Sequence, residues 1–329
     1  MTGTDGSGTP DPVASAYDAL RTGVGVHPLR RDVVRMTGAD ATSYLQGQCS
    51  QDVEALGPGR SADALLLSPQ GKVEVYLRVT RVDDNEFVLD TDEGFGSVMV
   101  DRLERFRLRV AVAVEPLSWA CVAVRGPGAT EAVTGSPALV VPAAWPGLTG
   151  VDLLGPWPGA GVGAWVAEGA VPCPDEAWEP ARIEAGLPVN GRELVVGTIA
   201  AEVGLVDRAV SFTKGCFTGQ ELVARLDARG SNVARRLCGV VIEGPIGRNA
   251  PDAPSAALVG APVWTVDGEH EVGRLSSVAW SPGRRAVVAL ATLHRRVTPP
   301  EAVDVELPAV QGGSRVRAEA VELPFVTAA

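Results

Sequence analysis

The stretch Ser211–Glu221, which reads SFTKGCFTGQE, restricts the local fold of this 329-residue chain more than any other segment. Its two glycines, Gly215 and Gly219, permit tight turns because glycine adopts positive φ without steric cost. The residues that follow place Leu222 and Leu226 four positions apart, on one face of a short helix. The pattern therefore predicts a strand, a turn and the start of a helix.

Cys216 lies between these two glycines, close to Lys214. A thiol at the start of a helix faces unpaired N–H groups and the positive end of the helix dipole. Those groups and a neighbouring ammonium lower the pKa of a thiol and favour the reactive thiolate. The residues fit equally well a small apolar cysteine buried in a packing turn, since free cysteine is among the most buried residue types.

Charge and cysteine content exclude several classes of protein. A net charge of −11 argues against an extended nucleic-acid surface, which needs a basic face; a local basic patch at Arg229, Arg235 and Arg236 is compatible with it. No apolar run reaches the roughly 18–20 residues that span a bilayer. The five cysteines are an odd number without a CxxC pair, which indicates neither a disulfide framework nor a local metal site, and fits a reducing cytoplasm.

Short helices alternate with strands that pair as antiparallel hairpins, which predicts an α+β fold. From Val73 to Val79, apolar and polar residues alternate, as in a half-buried strand. Pro180–Ala185 reads as a helix with proline in its first turn and Gly186 just past its end. From Arg236 onward the pattern is all-β and predicts a small C-terminal barrel.

The motif Lys214–Glu221, continued by Leu-Val-Ala-Arg and then Arg229-Gly230, resembles the signature of the YgfZ family. These folate-binding proteins are related to the aminomethyltransferase (T-protein) of the glycine cleavage system. Three further segments resemble family landmarks: 38–48, 67–73 and 182–188. The resemblance implies a ring of α+β subdomains around a folate pocket, followed by a C-terminal β-barrel. We expect a disordered leader over residues 1–23, a folate-binding domain over 24–235 (subdomains 24–115 and 116–235) and a barrel over 236–329.

The resemblance also implies two folate-binding residues, Glu184 and Arg225. A pterin ring presents two adjacent N–H donors that one carboxylate can accept, and Arg182-Ile183-Glu184 resembles the position that holds the pterin in aminomethyltransferases. A guanidinium at Arg225 suits the glutamate tail of folate. From the residues alone, Glu184 is a solvated helical carboxylate or a partner of Arg182, and Arg225 is a surface arginine near a helix end.

Other residues are expected around the proposed pocket and turn. Lys214 is expected to tune Cys216 or to bind a carboxylate, and Trp178 to cover the pocket or to pack in the core. Hydrogen bonds within the turn are expected from Gln220 and Glu221. The remaining motif positions are Gly215, Phe217 and Gly219.

One departure separates this chain from aminomethyltransferases, which carry an aspartate a few residues beyond an Asn-Ala pair that follows a strand. An ungapped comparison places Ser97 near that position, with Asp90 and Asp92 as the carboxylates that could substitute. The YgfZ resemblance therefore fits better than a glycine cleavage enzyme.

The resulting hypothesis is a cytoplasmic tetrahydrofolate-binding protein that supports iron–sulfur cluster assembly or repair. Cys216 would lie near the reactive end of the folate, and the partners would be iron–sulfur enzymes or cluster carriers. Because clusters are bound by several thiolates, one cysteine cannot hold a cluster alone. Two alternatives stay open: a folate-dependent aminomethyl- or methyltransferase, and a non-catalytic adaptor.

Overall fold

The computed structural model describes residues 11–143, 145–157, 161–228, 230, 232–242, 257–308 and 313–326. Residues 1–10 and Arg229 lie outside the described residues. The start of the predicted leader and the Arg229 position of the basic patch and the motif therefore stay predictions. Within the described ranges the helices are α1 (Pro12–Thr22), α2 (Ala41–Gln48), α3 (Gly96–Arg105), α4 (Ala129–Ala132), α5 (Asp175–Glu184), α6 (Val206–Ala209) and α7 (Gln220–Asp227). No helix among these has the length and apolarity needed to cross a bilayer.

The strands of the described ranges are, in chain order, β1 (Gly25–Leu29), β2 (Arg31–Thr37), β3 (Ser61–Leu67), β4 (Val73–Asp83), β5 (Glu86–Asp92), β6 (Ala113–Leu117), β7 (Trp119–Arg125), β8 (Leu139–Pro142), β9 (Gly150–Pro156), β10 (Val171–Pro172), β11 (Arg235–Ile242), β12 (Pro262–Thr265), β13 (Glu271–Ser281), β14 (Ala286–His294), β15 (Glu301–Glu306) and β16 (Arg315–Val321).

These strands form two five-stranded sheets and a closed barrel. The sheets have the orders β3-β4-β5-β2-β6 and β10-β1-β7-β9-β8, and the barrel runs β11-β14-β13-β12-β15-β16. Every named pair in the first sheet and in the barrel is antiparallel. The predicted α+β fold with a C-terminal β-barrel is confirmed. The predicted boundaries of the subdomains stay a prediction.

The alternating strand pattern is confirmed in β4, where Val73, Val75, Leu77 and Val79 are buried. The opposite face of the same strand also buries Arg78. A buried arginine needs an ionic partner, and that face turns toward the functional site described below.

The disordered leader predicted through residue 23 is wrong for Pro12–Thr22, which forms helix α1. Asp11 caps its start by accepting a hydrogen bond from Val13 N at 3.0 Å, and proline occupies its first position. The helix buries Tyr17 and Leu20 completely or almost so. This apolar face packs onto α5, so burial rather than local composition decides the fold of the segment.

Other corrections concern element boundaries. Helix α5 begins at Asp175, and Pro180 lies inside it. Gly186 does follow it with a φ of +70°.

The strand expected before the cysteine turn is absent from the described residues 205–219, where helix α6 and a loop occur, whereas the helix after the turn is confirmed as α7. Strand β15 was not predicted, although Val303 and Val305 fill the barrel core.

Candidate functional site

A cavity of about 1050 Å³ opens between the two sheets, helix α5 and barrel strand β13. Its volume is at the upper end of the range of small-molecule sites. Among the described residues, seven arginines, six carboxylates and three aromatic side chains of Tyr and Trp line it: Arg30, Arg31, Arg78, Arg125, Arg182, Arg192 and Arg208; Asp63, Asp92, Glu93, Asp152, Asp175 and Glu179; Tyr76, Trp145 and Trp178.

A buried chain of ion pairs connects the two sheets at the floor of this cavity. Arg78 Nε lies 2.9 Å from Asp90 Oδ1, and Arg78 Nη1 lies 2.6 Å from Asp152 Oδ2. Arg31 extends the chain to Asp90 at 2.8 Å, and Arg125 extends it to Asp152 Oδ1 at 2.8 Å. Because Asp90 belongs to the first sheet and Asp152 to the second, Arg78 holds the two sheets together through charge.

The electrostatics of the floor are set by this network. Burial alone would raise the pKa of Asp152, but the charges of Arg125 and Arg78 outweigh it and lower that pKa from its usual value. Burial raises the pKa of the nearby Cys121 thiol well above its usual range. Asp152 is therefore ionised at neutral pH, and Cys121 is a neutral core thiol.

Two buried polar atoms of the floor lack hydrogen-bond partners among the described residues: Arg125 Nε and Asp152 Oδ1. Arg125 Nη1 donates to the carbonyls of Val124 and Val151, so its contact with Asp152 Oδ1 is ionic rather than a directed hydrogen bond. Unpaired buried polar atoms are rare in native proteins. Arg125 Nε and Asp152 Oδ1 thus make no directed hydrogen bond, although their two side chains form an ion pair on the cavity lining.

One wall of the cavity is aromatic. The rings of His27 and Trp178 stack with centroids 4.5 Å apart and an angle of 11°, and Trp145 packs on Trp178 at 4.5 Å and 57°. The guanidinium of Arg125 lies 4.8 Å from the centroid of Trp145 and 5.3 Å from that of Trp178. The expected core packing of Trp178 is confirmed, and its side chain also lines the cavity.

Helix α5 is joined to the barrel at the edge of the cavity. Arg182 donates to Glu179 Oε1 at 2.7 Å and to Ser277 Oγ on β13 at 2.6 Å. The buried carboxylate of Glu193 accepts hydrogen bonds from Ser276 and Ser277 at 2.7 and 2.6 Å. These contacts fix the position of the barrel relative to the cavity.

The structure contradicts the expectation that Glu184 offers a free carboxylate. Its side chain is 0% exposed and does not line the cavity. Tyr17 Oη and Arg21 Nη2 donate to its Oε2, each at 2.6 Å, and Ser281 Oγ donates to its Oε1 at 2.5 Å. Glu184 therefore joins α1, α5 and the barrel, and no pterin N–H can reach it in this conformation.

Lys214 is anchored rather than poised to activate a thiol. Its Nζ donates to the carbonyl oxygens of Gln46, Cys49 and Gln51 at 2.5, 2.8 and 2.7 Å. These carbonyls lie at and beyond the end of α2, where backbone acceptors have no helical partner. Burial lowers the pKa of Lys214. Its ammonium is thereby committed to holding the motif loop against α2, and the expectation that it tunes Cys216 is not supported.

The rest of the motif forms a surface loop, residues 211–219, and the start of α7. Gly219 has a φ of +81°, and a Cβ there would lie 2.5 Å from the Ser68 carbonyl oxygen, so glycine is required. The expected closing bond is confirmed for Gln220, whose Oε1 accepts from Phe217 N at 3.1 Å. Glu221 and Gly215 are exposed, and no side-chain hydrogen bond of Glu221 is found among the described residues.

Cys216 and Arg225 are both exposed, and neither lines the cavity. The structure does not bring them together with the cavity residues, and their predicted roles stay predictions. Cys49, Cys121, Cys173 and Cys238 are buried, as expected for structural cysteines.

The three candidates for the aspartate position are separated by the fold. Ser97 is exposed on α3, and Asp90 is fully buried in the ion-pair network. Asp92 lines the cavity, but its Oδ1 accepts from Arg31 at 2.9 Å and its Oδ2 from Asn190 Nδ2 at 2.9 Å. Neither aspartate presents an uncommitted carboxylate to the cavity.

The residues that form the floor were missed from the sequence. Arg78, Arg125 and Asp152 are charges inside strands whose neighbours are apolar. A charge in a strand buried on both faces must find a partner, and this is the signal by which they could have been found. The partners themselves come from different strands, and their pairing depends on the packing of the two sheets.

Comparison with known proteins shows where this fold has been seen. Residues 7–138 match the family model described as the GCVT N-terminal domain. In structure, the chain is similar to aminomethyltransferase T of the glycine cleavage system from Bartonella henselae, with a TM-score of 0.79 and 19% identity over 95% of this chain and 89% of that one. The fold is therefore that of an aminomethyltransferase.

The sequence has curated relatives at similar distances. An aminomethyltransferase of Streptomyces coelicolor is 27% identical over 93% of this chain and 87% of its own length. A putative chloroplastic transferase of Arabidopsis thaliana is 27% identical over 80% of this chain, which spans 63% of that protein's length. An uncharacterized protein of Haemophilus influenzae is 27% identical over 61% of this chain and 67% of its own length.

Proposed function

We propose that this protein binds a reduced folate, tetrahydrofolate or a one-carbon derivative of it, in the central cavity. The observation that carries this proposal is the buried ion pair of Arg125 and Asp152 on the cavity floor, in which Arg125 Nε and Asp152 Oδ1 make no directed hydrogen bond. A pterin ring carries N–H donors and a carbonyl acceptor along one edge, so it suits such a pair. The aminomethyltransferase fold and the size of the cavity agree with this ligand.

The lining fits each part of the ligand. Asp152 replaces Glu184 as the proposed carboxylate for the pterin, since it stays ionised and its Oδ1 has no directed hydrogen bond. Trp145 and Trp178 supply a flat apolar wall. For the glutamate tail, Arg30 and Arg192 replace Arg225, because their side chains line the cavity and are 82% and 52% exposed.

Bound tetrahydrofolate would supply a carrier for one-carbon groups. The residues of this chain bind and orient it, but neither Asp92 nor Asp90 presents a free carboxylate to it. This favours binding without aminomethyl transfer. An aminomethyl- or methyltransferase is the second candidate, supported by similarity to aminomethyltransferases over most of their length. Release of ammonia from a lipoyl-carried aminomethyl donor, with tetrahydrofolate present, would establish that candidate.

The motif thiol is proposed to act outside the cavity. Cys216 is exposed on a loop held by Lys214 and does not line the cavity, so it is available to another protein rather than to the bound folate. We propose that a YgfZ-type function follows, in which this cytoplasmic protein supports assembly or repair of iron–sulfur enzymes. Cys216 would supply one ligand or one redox-sensitive thiol to a cluster-carrying partner, because a single cysteine cannot hold a cluster. The adaptor alternative shares this surface and lacks the thiol chemistry.

Calorimetric titration of tetrahydrofolate into the wild-type protein tests the binding proposal. We expect saturable binding, weakened by about 1.5–3 kcal/mol in an Arg30→Ala, Arg192→Ala double variant that loses charged hydrogen bonds to the tail. A tetrahydropterin without the glutamate tail should bind both proteins equally. Arg225→Ala is the matched control and should change neither affinity. Absence of binding to folded wild-type protein would overturn the proposal.

A cellular test distinguishes a function that needs the Cys216 thiol from that of a non-catalytic adaptor. Deletion of the protein should lower the activity of iron–sulfur enzymes, and the wild-type chain should restore it. Cys216→Ala should fail to restore it while still binding tetrahydrofolate with unchanged affinity. Full restoration by Cys216→Ala would leave the adaptor as the better description.

A further inference from the structure

His27 is a residue of the cavity wall that neither the sequence motif nor the ion-pair network uses. It lies on β1, lines the cavity and stacks on Trp178. Its Nδ1 lies 2.8 Å from the carbonyl oxygen of Cys173. A carbonyl only accepts, so Nδ1 must carry the proton. In the neutral ring, Nε2 is then a bare acceptor.

The surroundings keep the ring neutral. Burial lowers the pKa of His27, and Arg125 on the adjacent β7 lowers it further. The carbonyl of Cys173 and the carboxylates of Asp175 and Glu179 on α5 act in the opposite direction, but the net shift is downward. At neutral pH the imidazole is therefore uncharged, with its tautomer fixed by Cys173.

A second acceptor lies beside Nε2. Asp175 Oδ1 is 3.6 Å away, and its side chain is 86% exposed. Two acceptors at this distance cannot bond each other, so they form a site for a donor. The other carboxylates that line the cavity each have an arginine nitrogen within 4.0 Å: Asp63, Asp92, Glu93, Asp152 and Glu179. Among the carboxylates of the described lining, Asp175 is the one without an arginine partner, and His27 Nε2 lies beside it.

We propose that His27 Nε2, with Asp175, selects the reduced form of the folate by accepting a ring N–H. This rests on the proposed folate function. The tetrahydro ring carries hydrogens on N5 and N8, whereas the fully oxidised ring has bare nitrogens there that only accept. An acceptor facing an acceptor leaves two buried polar groups unpaired, which disfavours the oxidised ligand. The same wall therefore discriminates redox states by offering acceptors and no donor to the ring.

Titrations of tetrahydrofolate and folic acid into wild type and His27→Phe test the proposal. Phenylalanine keeps the stack on Trp178 and removes the acceptor. Wild type should prefer tetrahydrofolate by about tenfold to a hundredfold, and His27→Phe should bring the ratio close to one, mainly by weakening tetrahydrofolate. A purely structural role would weaken both ligands equally and leave the ratio unchanged, which would overturn the proposal.

The pH dependence of the ratio in wild-type protein gives a second test that needs no variant. Protonation of Nε2 turns the acceptor into a donor paired with Asp175. The preference for tetrahydrofolate should therefore shrink as the pH falls from about 7.5 to about 5, through and below the usual His pKa of about 6.5. A ratio that is constant over this range would contradict the role of His27. Binding of neither ligand at any pH would instead refute the folate function itself, so the two failures are distinguishable.

Discussion

The cavity floor and the motif loop are opposite kinds of region. The floor is built from charged residues of several strands that are almost fully buried and paired with one another. The loop over residues 211–219 is a single continuous segment, largely at the surface, and is held by backbone contacts and one ammonium. The loop is conspicuous in the sequence and the floor is not, yet the floor has the geometry of a small-molecule site.

This difference shows that a distinctive motif and a binding pocket need not coincide. A loop with special backbone demands leaves a contiguous signature of glycines and small polar residues. A buried network leaves only isolated charges in apolar strands, and its cost in desolvation is offset only when the partners meet in three dimensions.

The largest expected effect is on the floor. Replacement of Arg78 by methionine leaves Asp90 and Asp152 without their shared cation, and loss of one partner from a buried ionic network costs about 3–5 kcal/mol. Urea unfolding followed by circular dichroism should show this loss. Arg225→Met, an exposed arginine beside the motif, should change the free energy of unfolding by about 0.5 kcal/mol or less. Equal losses of unfolding free energy in Arg78→Met and Arg225→Met would contradict the proposed difference between the floor and the motif loop.

Two glutamates give the next comparison. Glu184→Gln removes the charge that Tyr17, Arg21 and Ser281 share, and should lower the free energy of unfolding by about 1.5–3 kcal/mol. Glu221→Gln, at an exposed motif position, should have almost no effect. Since Glu184 does not line the cavity, the affinity for tetrahydrofolate should stay unchanged in folded Glu184→Gln. A clear loss of affinity without loss of stability would restore the pterin role predicted from the sequence.

Within the motif, stability should depend on Lys214 and not on Cys216. Lys214→Met leaves three carbonyl oxygens near the end of α2 without their donor, and should cost about 1–2 kcal/mol. Cys216→Ser should leave the midpoint of urea unfolding where it is in wild type. A larger loss of stability in Cys216→Ser than in Lys214→Met would mean that the thiol, rather than the ammonium, holds the loop.

Acid should weaken the floor selectively. The pKa of Asp152 is lower in the folded protein than the value of about 3.9 expected for an unfolded chain. Its contribution to stability is therefore complete above about pH 4 and is lost as the pH falls through the lower, folded value. The difference in unfolding free energy between wild type and Asp152→Asn should be constant from about pH 7 to 5 and should narrow in strong acid. If the difference in unfolding free energy between wild type and Asp152→Asn grew in acid, the folded pKa of Asp152 would not be lowered.

The smallest expected effect is the chemical modification of exposed thiols in the native protein. Cys216 is exposed and the other four cysteines are buried. A thiol reagent should therefore modify one cysteine rapidly in the native protein, and Cys216→Ser should abolish that fast phase. The remaining cysteines should react only when the protein opens or unfolds. More than one fast thiol in the native protein would contradict the packing described for the core.

Local patterns predicted much of the fold and little of the site. The alternation of Val73, Val75, Leu77 and Val79 is visible because burial on one face repeats every two residues. Helix α1 was missed because only its packing on α5 reveals the use of Tyr17 and Leu20. The assignment of Glu184 failed for a related reason. Its partners come from residues 17, 21 and 281, far away in the chain, and nothing near Glu184 indicates that its oxygens are occupied.

Hydrogen–deuterium exchange of the intact protein, with and without saturating tetrahydrofolate, tests most directly whether the cavity rather than the motif loop is the folate site. We predict added protection in the segments that line the cavity, β4, β7 and residues 175–193, and unchanged exchange in residues 211–221. Protection confined to residues 211–221, with no change in β4 or α5, would contradict it.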